Sequence, residues 1–270
     1  MKFALANGQR IEAQPGLSVV CPGCGAPMLA RCGDVRIRHW AHVGKRMCDS
    51  WWENETEWHR AWKGHFPTEW QEVIQHAQDG EKHIADVKTD QDWVLEFQHS
   101  LLTAEERRAR NDFYSKLIWV VDGVRRKRDR TQFFKALEGK APIQPNFPMW
   151  TVFNRDCTLL QEWSNSRVPV FFDFGKDVPL WCLLPGPRDG IAYVGPLPRQ
   201  TFLDFHKTGA MQSGQDFTGL LNRLNEIVSM HVTYCQTRAQ NEIIRQRQFD
   251  LARQASRFPG YPQQRLRRRL

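Results

Sequence analysis

The run "LIWVVDG" at 117–123 constrains the fold more than any other stretch of the chain. It is apolar on successive residues, rich in β-branched side chains and closed by glycine. Such a strand has no solvent face, so it must be covered on both sides, as in a parallel sheet flanked by helices. Two β-type runs precede it, about 82–88 and 93–98, joined by "TDQD". Between them and the buried run, Thr103 opens a helix to about residue 116, with Glu106 three positions on as a capping box. Upstream, "WWENETEWHRAWKGHF" (51–66) repeats Trp51, Glu55, Trp58 and Trp62 at helical spacing, with Gly64 as a stop. The segment "EWQEVIQH" (69–76) fits a short strand or a helical turn. The middle of the chain thus reads helix, undecided, strand, strand, helix, strand: a compact α/β unit.

That unit carries an unusual set of polar groups. Residues two apart in a strand share a face, so Glu96 and Gln98 point together while Leu95 and Phe97 face the other way. A hairpin can bring Asp86 beside Glu96. Two half-buried carboxylates repel each other unless a cation compensates. Mg²⁺ or Mn²⁺ suits hard oxygen ligands of this kind and keeps several waters. On the preceding helix, Glu55, His59 and Lys63 follow one another at i, i+4, along one face. Glu57 lies off that face and is the reserve acid for a helix that begins later. Gln98 can orient a water but cannot accept its proton. Deprotonation would fall to the metal or to His59, and positive charge to Lys63. His99 alternates away from Gln98 and reads as structural. Arg107, Arg110 and Tyr114 share a face of the next helix and are candidate phosphate contacts, as are Arg125 and Arg126 in "RRKRDR" after the buried strand.

The first fifty residues have a different chemistry. Cys21-x2-Cys24 and His39-x2-His42 are spaced as in known zinc sites, with Cys32 and Cys48 also at hand. Cys21 and Cys24 form one side of the site; His42 with Cys48, or His39 with His42, would complete it. A loop this poor in apolar residues needs Zn²⁺ to order itself. Asn7-Gly8 places a β-hairpin ahead of it. Cys157, Cys182 and Cys235 are scattered and read as core.

The chain has 270 residues and a net charge of +8, which favours a polyanionic partner. DNA comes first and RNA stays open. No apolar run approaches the roughly 18 residues that span a bilayer, and the N-terminus has no signal-peptide pattern, so a cytoplasmic, membrane-free protein with reduced cysteines is expected. Trp51, Trp52, Trp58, Trp62 and Trp70 crowd one region, at a spacing that favours core packing over base stacking. A proline-rich stretch at 140–150 suggests a boundary. Beyond it come short β-like runs, then a helix from Phe217 to about 258, then the basic tail "RLRRRL". The expected division is therefore 1–50, 51–140 and 141–270. The long helix is a candidate surface for self-association or a protein partner.

The order of helix acid, strand Asp, Glu-x-Gln and Arg/Tyr-bearing helix resembles the PD-(D/E)XK nuclease fold. More specifically, residues 21–123 resemble the CoiA-like competence protein family, on "CPGC", "HWAH", "ETEWHRAWK", "IADV", "EFQHS" and "ERRARNDFY…WVVDG" in one order. The resemblance implies an α/β (α+β) chain. A small zinc-binding N-terminal segment would precede a nuclease-like core; the resemblance does not reach the C-terminal region, whose own pattern reads as mixed β then helix. It implies a metal-dependent deoxyribonuclease in DNA processing, with Glu55, His59, Lys63, Asp86, Glu96, Gln98, Arg110 and Tyr114 as its site. The competing expectation is a nucleic-acid-binding or interaction subunit that keeps the fold and cleaves nothing.

Overall fold

A computed structural model describes residues 1–33, 37–44, 49, 51, 54–77, 80–143, 148–186, 190–210 and 214–256. Cys48, Trp52 and the tail "RLRRRL" lie outside these. The chain divides into two units, Met1–Leu221 and Asn222–Leu270. It is a mixed α and β protein built on two sheets.

The N-terminal sheet has five antiparallel strands: β1 (Phe3–Ala6), β2 (Gln9–Glu12), β3 (Val19–Val20), β4 (Pro27–Arg31) and β5 (His39–His42), in the order β2-β1-β3-β4-β5. Ala6 pairs with Gln9, so the β1–β2 loop is two residues long. Asn7 and Gly8 both adopt positive φ, 48° and 79°, the requirement of a type I′ hairpin turn. Met1, Ala4, Val19, Met28 and Trp40 form the small core of this sheet.

The second sheet has eight strands in the order β10-β13-β12-β11-β9-β8-β7-β6. It opens with helix α1 (Glu57–Lys63), then β6 (Gln71–His76), β7 (Lys82–Lys88), β8 (Val94–Gln98), helix α2 (Ala104–Phe113) and β9 (Leu117–Asp122). β6, β7 and β8 form an antiparallel meander; α2 then crosses over so that β9 runs parallel to β8. All six residues of β9 are buried, as its composition requires. The undecided segment at 69–76 is a 3-10 turn followed by a strand. Thr103 caps α2 through the backbone N–H of Glu106.

The remaining elements are α3 (Asp129–Leu137), β10 (Trp150–Phe153), α4 (Thr158–Trp163), β11 (Val170–Asp173), β12 (Leu180–Leu183), β13 (Ile191–Leu197), α5 (Arg199–Thr208) and α6 (Phe217–Ser256). β11 pairs in parallel with β9, so the sheet runs without a break across the boundary expected near residue 140. Trp119, Phe133, Trp163, Phe172 and Phe174 sit in one continuous core drawn from both sides of that point. Cys157 and Cys182 are buried, but Cys235 is exposed on α6, where its polar neighbours leave no core to join.

α1 is shorter than its tryptophan spacing suggests. Thr56 closes its N-terminus with a reciprocal capping box: its hydroxyl accepts the His59 N–H, and the His59 ring receives the Thr56 N–H. Trp51 and Glu55 therefore precede the helix. Gly64 ends it as expected. Among the described residues no helix is long and apolar enough to cross a membrane.

Candidate active site

The β7–β8 register pairs Val87 with Leu95 and Lys88 with Val94, which sets Asp86 opposite Glu96. There the ladder is replaced by a side-chain bond: the Phe97 N–H donates to Asp86 Oδ2 at 3.0 Å. The two carboxylates line a cavity of about 70 Å³ with Asp49, Glu55, Glu72, His59, Lys63, Arg110 and Tyr114, among others. That volume holds a few waters or a partly hydrated cation. Five of the lining groups are carboxylates, against two side-chain cations, Lys63 and Arg110.

Lys63 is the hub. Its Nζ lies 2.6 Å from Glu55 Oε1, 3.1 Å from Glu72 Oε1 and 3.8 Å from Asp86 Oδ1. Burial pulls its pKa down, but Glu72, Asp86 and Glu55 together raise it above the ordinary lysine range. Glu55 reaches Lys63 from the loop ahead of the cap, and Arg60 holds its other oxygen at 2.5 Å. Burial pushes Glu55 up, yet Lys63 and Arg60 outweigh it and keep the group ionised. Glu57, the reserve acid, is exposed, because α1 turns that position to solvent.

Glu72 is a member of the cleft that the sequence pattern does not reveal. It sits on β6 with φ of 48°, an uncommon conformation for a residue other than glycine. It accepts the backbone N–H groups of Lys2 at 2.7 Å and Phe3 at 3.1 Å. Burial pushes its carboxyl up, but Lys63, the chain amino group and those two N–H donors hold it at about 2. Asp49 is a second addition; it accepts from the N–H groups of Trp51 and Ile84 and bonds His83.

Asp86 and Glu96 are less well compensated. Burial, and next the charge of Asp86, push Glu96 well above the usual carboxylate range, against the pull of Arg110. Asp86 is raised by burial despite Lys63 and His59. Arg110 donates to Glu96 Oε2 at 3.2 Å. Glu96 Oε1 is buried with no hydrogen-bond partner among the described residues. The phenol of Tyr114 is pushed up by burial, then by Glu96 and Asp49, so it stays neutral in the cleft. The donor set left over, Asp86 and the unpartnered Oε1 of Glu96, is made of hard oxygens on a cavity lined by five carboxylates.

Other expected site residues lie elsewhere. Gln98 is buried outside the cavity lining, and its amide nitrogen donates to Ser100 O at 3.1 Å. Arg107 is buried with its guanidinium 5.0 Å over the Trp163 ring. Arg125 makes a two-pronged bond to Glu162, at 2.6 and 2.8 Å. Arg126 is shared between Asp129 and Glu162. Partners that arrive from 36 or 37 residues along the chain in β-rich context leave no local signal. His99 is oriented by Asp122, Nδ1 to Oδ2 at 2.7 Å, and so has a partner that fits its structural reading. Trp62 is core, whereas Trp51 is half-buried and stacks on His83.

The N-terminal sheet carries a separate cluster. Among the described residues, Cys21, Cys24 and His42 form the one group of three metal-ligating side chains, their ligand atoms within 4.8 Å of one another. Cys24 Sγ and His42 Nε2 are 3.4 Å apart, as ligands at 2.0–2.3 Å from one tetrahedral Zn²⁺ would be. The group could bind such a metal. The carboxylates of the cleft do not converge this tightly. His39 is three residues from His42 in β5, an odd separation that puts it on the other face; its Nδ1 bonds Ile37 O at 2.9 Å. Cys32 Sγ donates to Ala13 O. Of the expected ligands, Cys48 lies outside the described residues.

No curated protein and no solved structure matches the chain. Residues 9–50, the hairpin strand β2 through the Cys/His cluster, match the family described as competence protein CoiA, N-terminal domain. That match covers the N-terminal segment alone, and over it the chain is similar to the CoiA-like competence protein family.

Proposed function

We propose that the protein is a Mg²⁺- or Mn²⁺-dependent deoxyribonuclease of PD-(D/E)XK type that hydrolyses phosphodiester bonds during DNA processing. The observation that carries this reading is Asp86 set opposite Glu96 in a cleft where Lys63 and Glu55 converge. The order α1, three antiparallel strands, α2 and a parallel strand supports it. So does the family's link to competence. Asp86 and Glu96 would hold the ion, which suits Mg²⁺ because that ion binds through one or two carboxylates and keeps its waters. When bound, it would supply Lewis-acid stabilisation and a water of lowered pKa. Lys63 would supply the positive charge that a Glu-x-Lys site carries on its own lysine, and it holds Glu55 and Glu72 ionised. His59 also lines the cleft, but its Nδ1 accepts the Thr56 N–H, so the neutral ring carries its proton on Nε2 and would donate a hydrogen bond there rather than serve as the base. Gln98 has no part in directing the water in this arrangement.

The test is cleavage of single- and double-stranded DNA with and without Mg²⁺ or Mn²⁺. Asp86→Ala and Glu96→Ala should each lower the rate at least about 100-fold, the scale of a lost metal contact worth several kcal/mol. Cleavage that survives both substitutions would sink the site. One observation favours a second reading, a nucleic-acid-binding protein without activity. Lys63 and Arg110 already pair with Asp86 and Glu96, and Gln98 is engaged by Ser100. On that reading the wild type binds DNA or RNA and cleaves neither with any divalent ion.

A further inference from the structure

The arginines that the sequence offers for phosphate contact are committed to Glu96, Trp163, Asp129 and Glu162. Two exposed lysines, Lys176 and Lys207, lie instead on the far side of α1, beside an arginine, Arg199, that is itself paired with Asp173. Asp173, at the end of β11, accepts the indole N–H groups of Trp58 and Trp62 at 3.0 and 2.9 Å and pairs with Arg199. The Arg199 guanidinium lies 4.6 Å over the Trp62 ring and donates to Gly175 O at 3.3 Å. Lys176 is the next residue in that turn. The His65 ring lies 5.7 Å from Trp62, and Lys207 lies two turns along α5 from Arg199. His65, Lys176 and Lys207 are exposed. Burial lowers the His65 pKa, and Lys207, Arg199 and Lys176 lower it further against Asp173, in keeping with Lys176 following the Gly175 that Arg199 bonds and with Lys207 sharing α5 with Arg199. Lys176 and Lys207 make no ion pair among the described residues, with Asp177 and Asp204 on the same elements included.

We infer that His65, Lys176, Arg199 and Lys207 form the surface along which a DNA backbone runs to the cleft. The inference rests on the nuclease reading for its ligand. α1 is the wall between the two: His59 and Lys63 face the cavity, while Trp58 and Trp62 back the cluster. A helix is about 10 Å across with its side chains, roughly three nucleotide steps at about 3.4 Å per step. Cations beside a tryptophan-lined wall suit a phosphate backbone, whose binding is carried by charge rather than sequence.

The experiment is fluorescence anisotropy of a labelled DNA oligonucleotide with the full chain, across a salt series, in Ca²⁺ to separate binding from cleavage. Lys176→Glu with Lys207→Glu should weaken binding about 10- to 100-fold at low salt and reduce the slope of log affinity against log salt by about two. Thermal unfolding should not change. Lys135→Glu with Arg155→Glu, exposed cations near β10, should leave the slope within one unit of wild type. An unchanged slope in the first double variant, an equal loss in the second, or no DNA binding by the wild type overturns the inference. A wild type that binds through the cluster but never cleaves would refute the nuclease reading and leave the cluster standing.

Discussion

Glu72 and Glu96 share one cleft and respond to pH in opposite directions. Glu72 is held at about 2, from an ordinary 4.5. A carboxylate depressed in the fold contributes stability that is fully present above its unfolded value and lost as pH falls through the folded one. Over that window the loss is about 3 kcal/mol for a fully buried group. Glu96 is raised, so its contribution is present below pH 4.5 and lost as pH rises through its folded value. Denaturant unfolding as a function of pH should separate them. Glu72→Gln should flatten the acid limb between pH 4.5 and 2 and lower stability at neutral pH, since Lys63 loses a partner. Glu96→Gln should raise stability above neutral pH relative to its effect at pH 4. An acid limb unchanged in Glu72→Gln would show that the Lys2 and Phe3 N–H groups, rather than the charge on Glu72, carry the contact.

At the scale of elements, the joint between β9 and β11 depends on Gly123. A Cβ there would meet two ring carbons of Phe174 at 2.5 Å and Asp173 O at 3.2 Å. Gly123→Ala should cost about 1–3 kcal/mol by overpacking, read from a lower urea midpoint with unchanged slope. The glycine was legible as a strand stop, and its close approach to β11 was not, because β11 lies fifty residues on. The same division holds elsewhere. β7, β8, α2 and β9 follow from local period, apolar runs and the Thr103 cap, and Asp86 with Glu96 follows from the hairpin. Glu55 and Lys63 were placed together for a partly mistaken reason: the tryptophan spacing extended α1 past Thr56, whose capping box starts the helix later. Glu72 went unseen because its strand was ambiguous and its partners are Lys2 and Phe3. An acid amid the apolar residues of "EVI" was the only signal. The roles given to Arg107, Arg125 and Arg126 depended on what meets them, and Trp163 and Glu162 come from α4.

At the scale of the whole first unit, the N-terminal sheet is fastened to the cleft. Lys2 and Phe3, at the start of β1, donate to Glu72, Arg10 donates to Gln71 O at 2.6 Å, and Lys82 at the start of β7 donates to Gly23 O at 2.6 Å. Gly23 lies between Cys21 and Cys24, so the loop that offers these two cysteines and the β6–β7 hairpin share a direct bond. A structural Zn²⁺ contributes on the order of 10 kcal/mol of binding energy to the segment it orders. Cys24→Ser should therefore lose bound zinc, measured by elemental analysis at one ion per chain in the wild type. It should also lower the thermal midpoint by at least about 10 °C, the effect on a chain of this size if only a few kcal/mol of that binding energy reaches the rest of the fold. Because Lys2 and Phe3 help hold Glu72, and Glu72 helps hold Lys63, the proposed nuclease activity should be lost in the same variant although Cys24 is not among the residues lining the cleft. Zinc content equal to wild type would remove Cys24 from the cluster. Lost zinc with full cleavage and an unchanged midpoint would show that the two sheets stand independently, and that the bonds to Glu72 do not transmit order from one to the other.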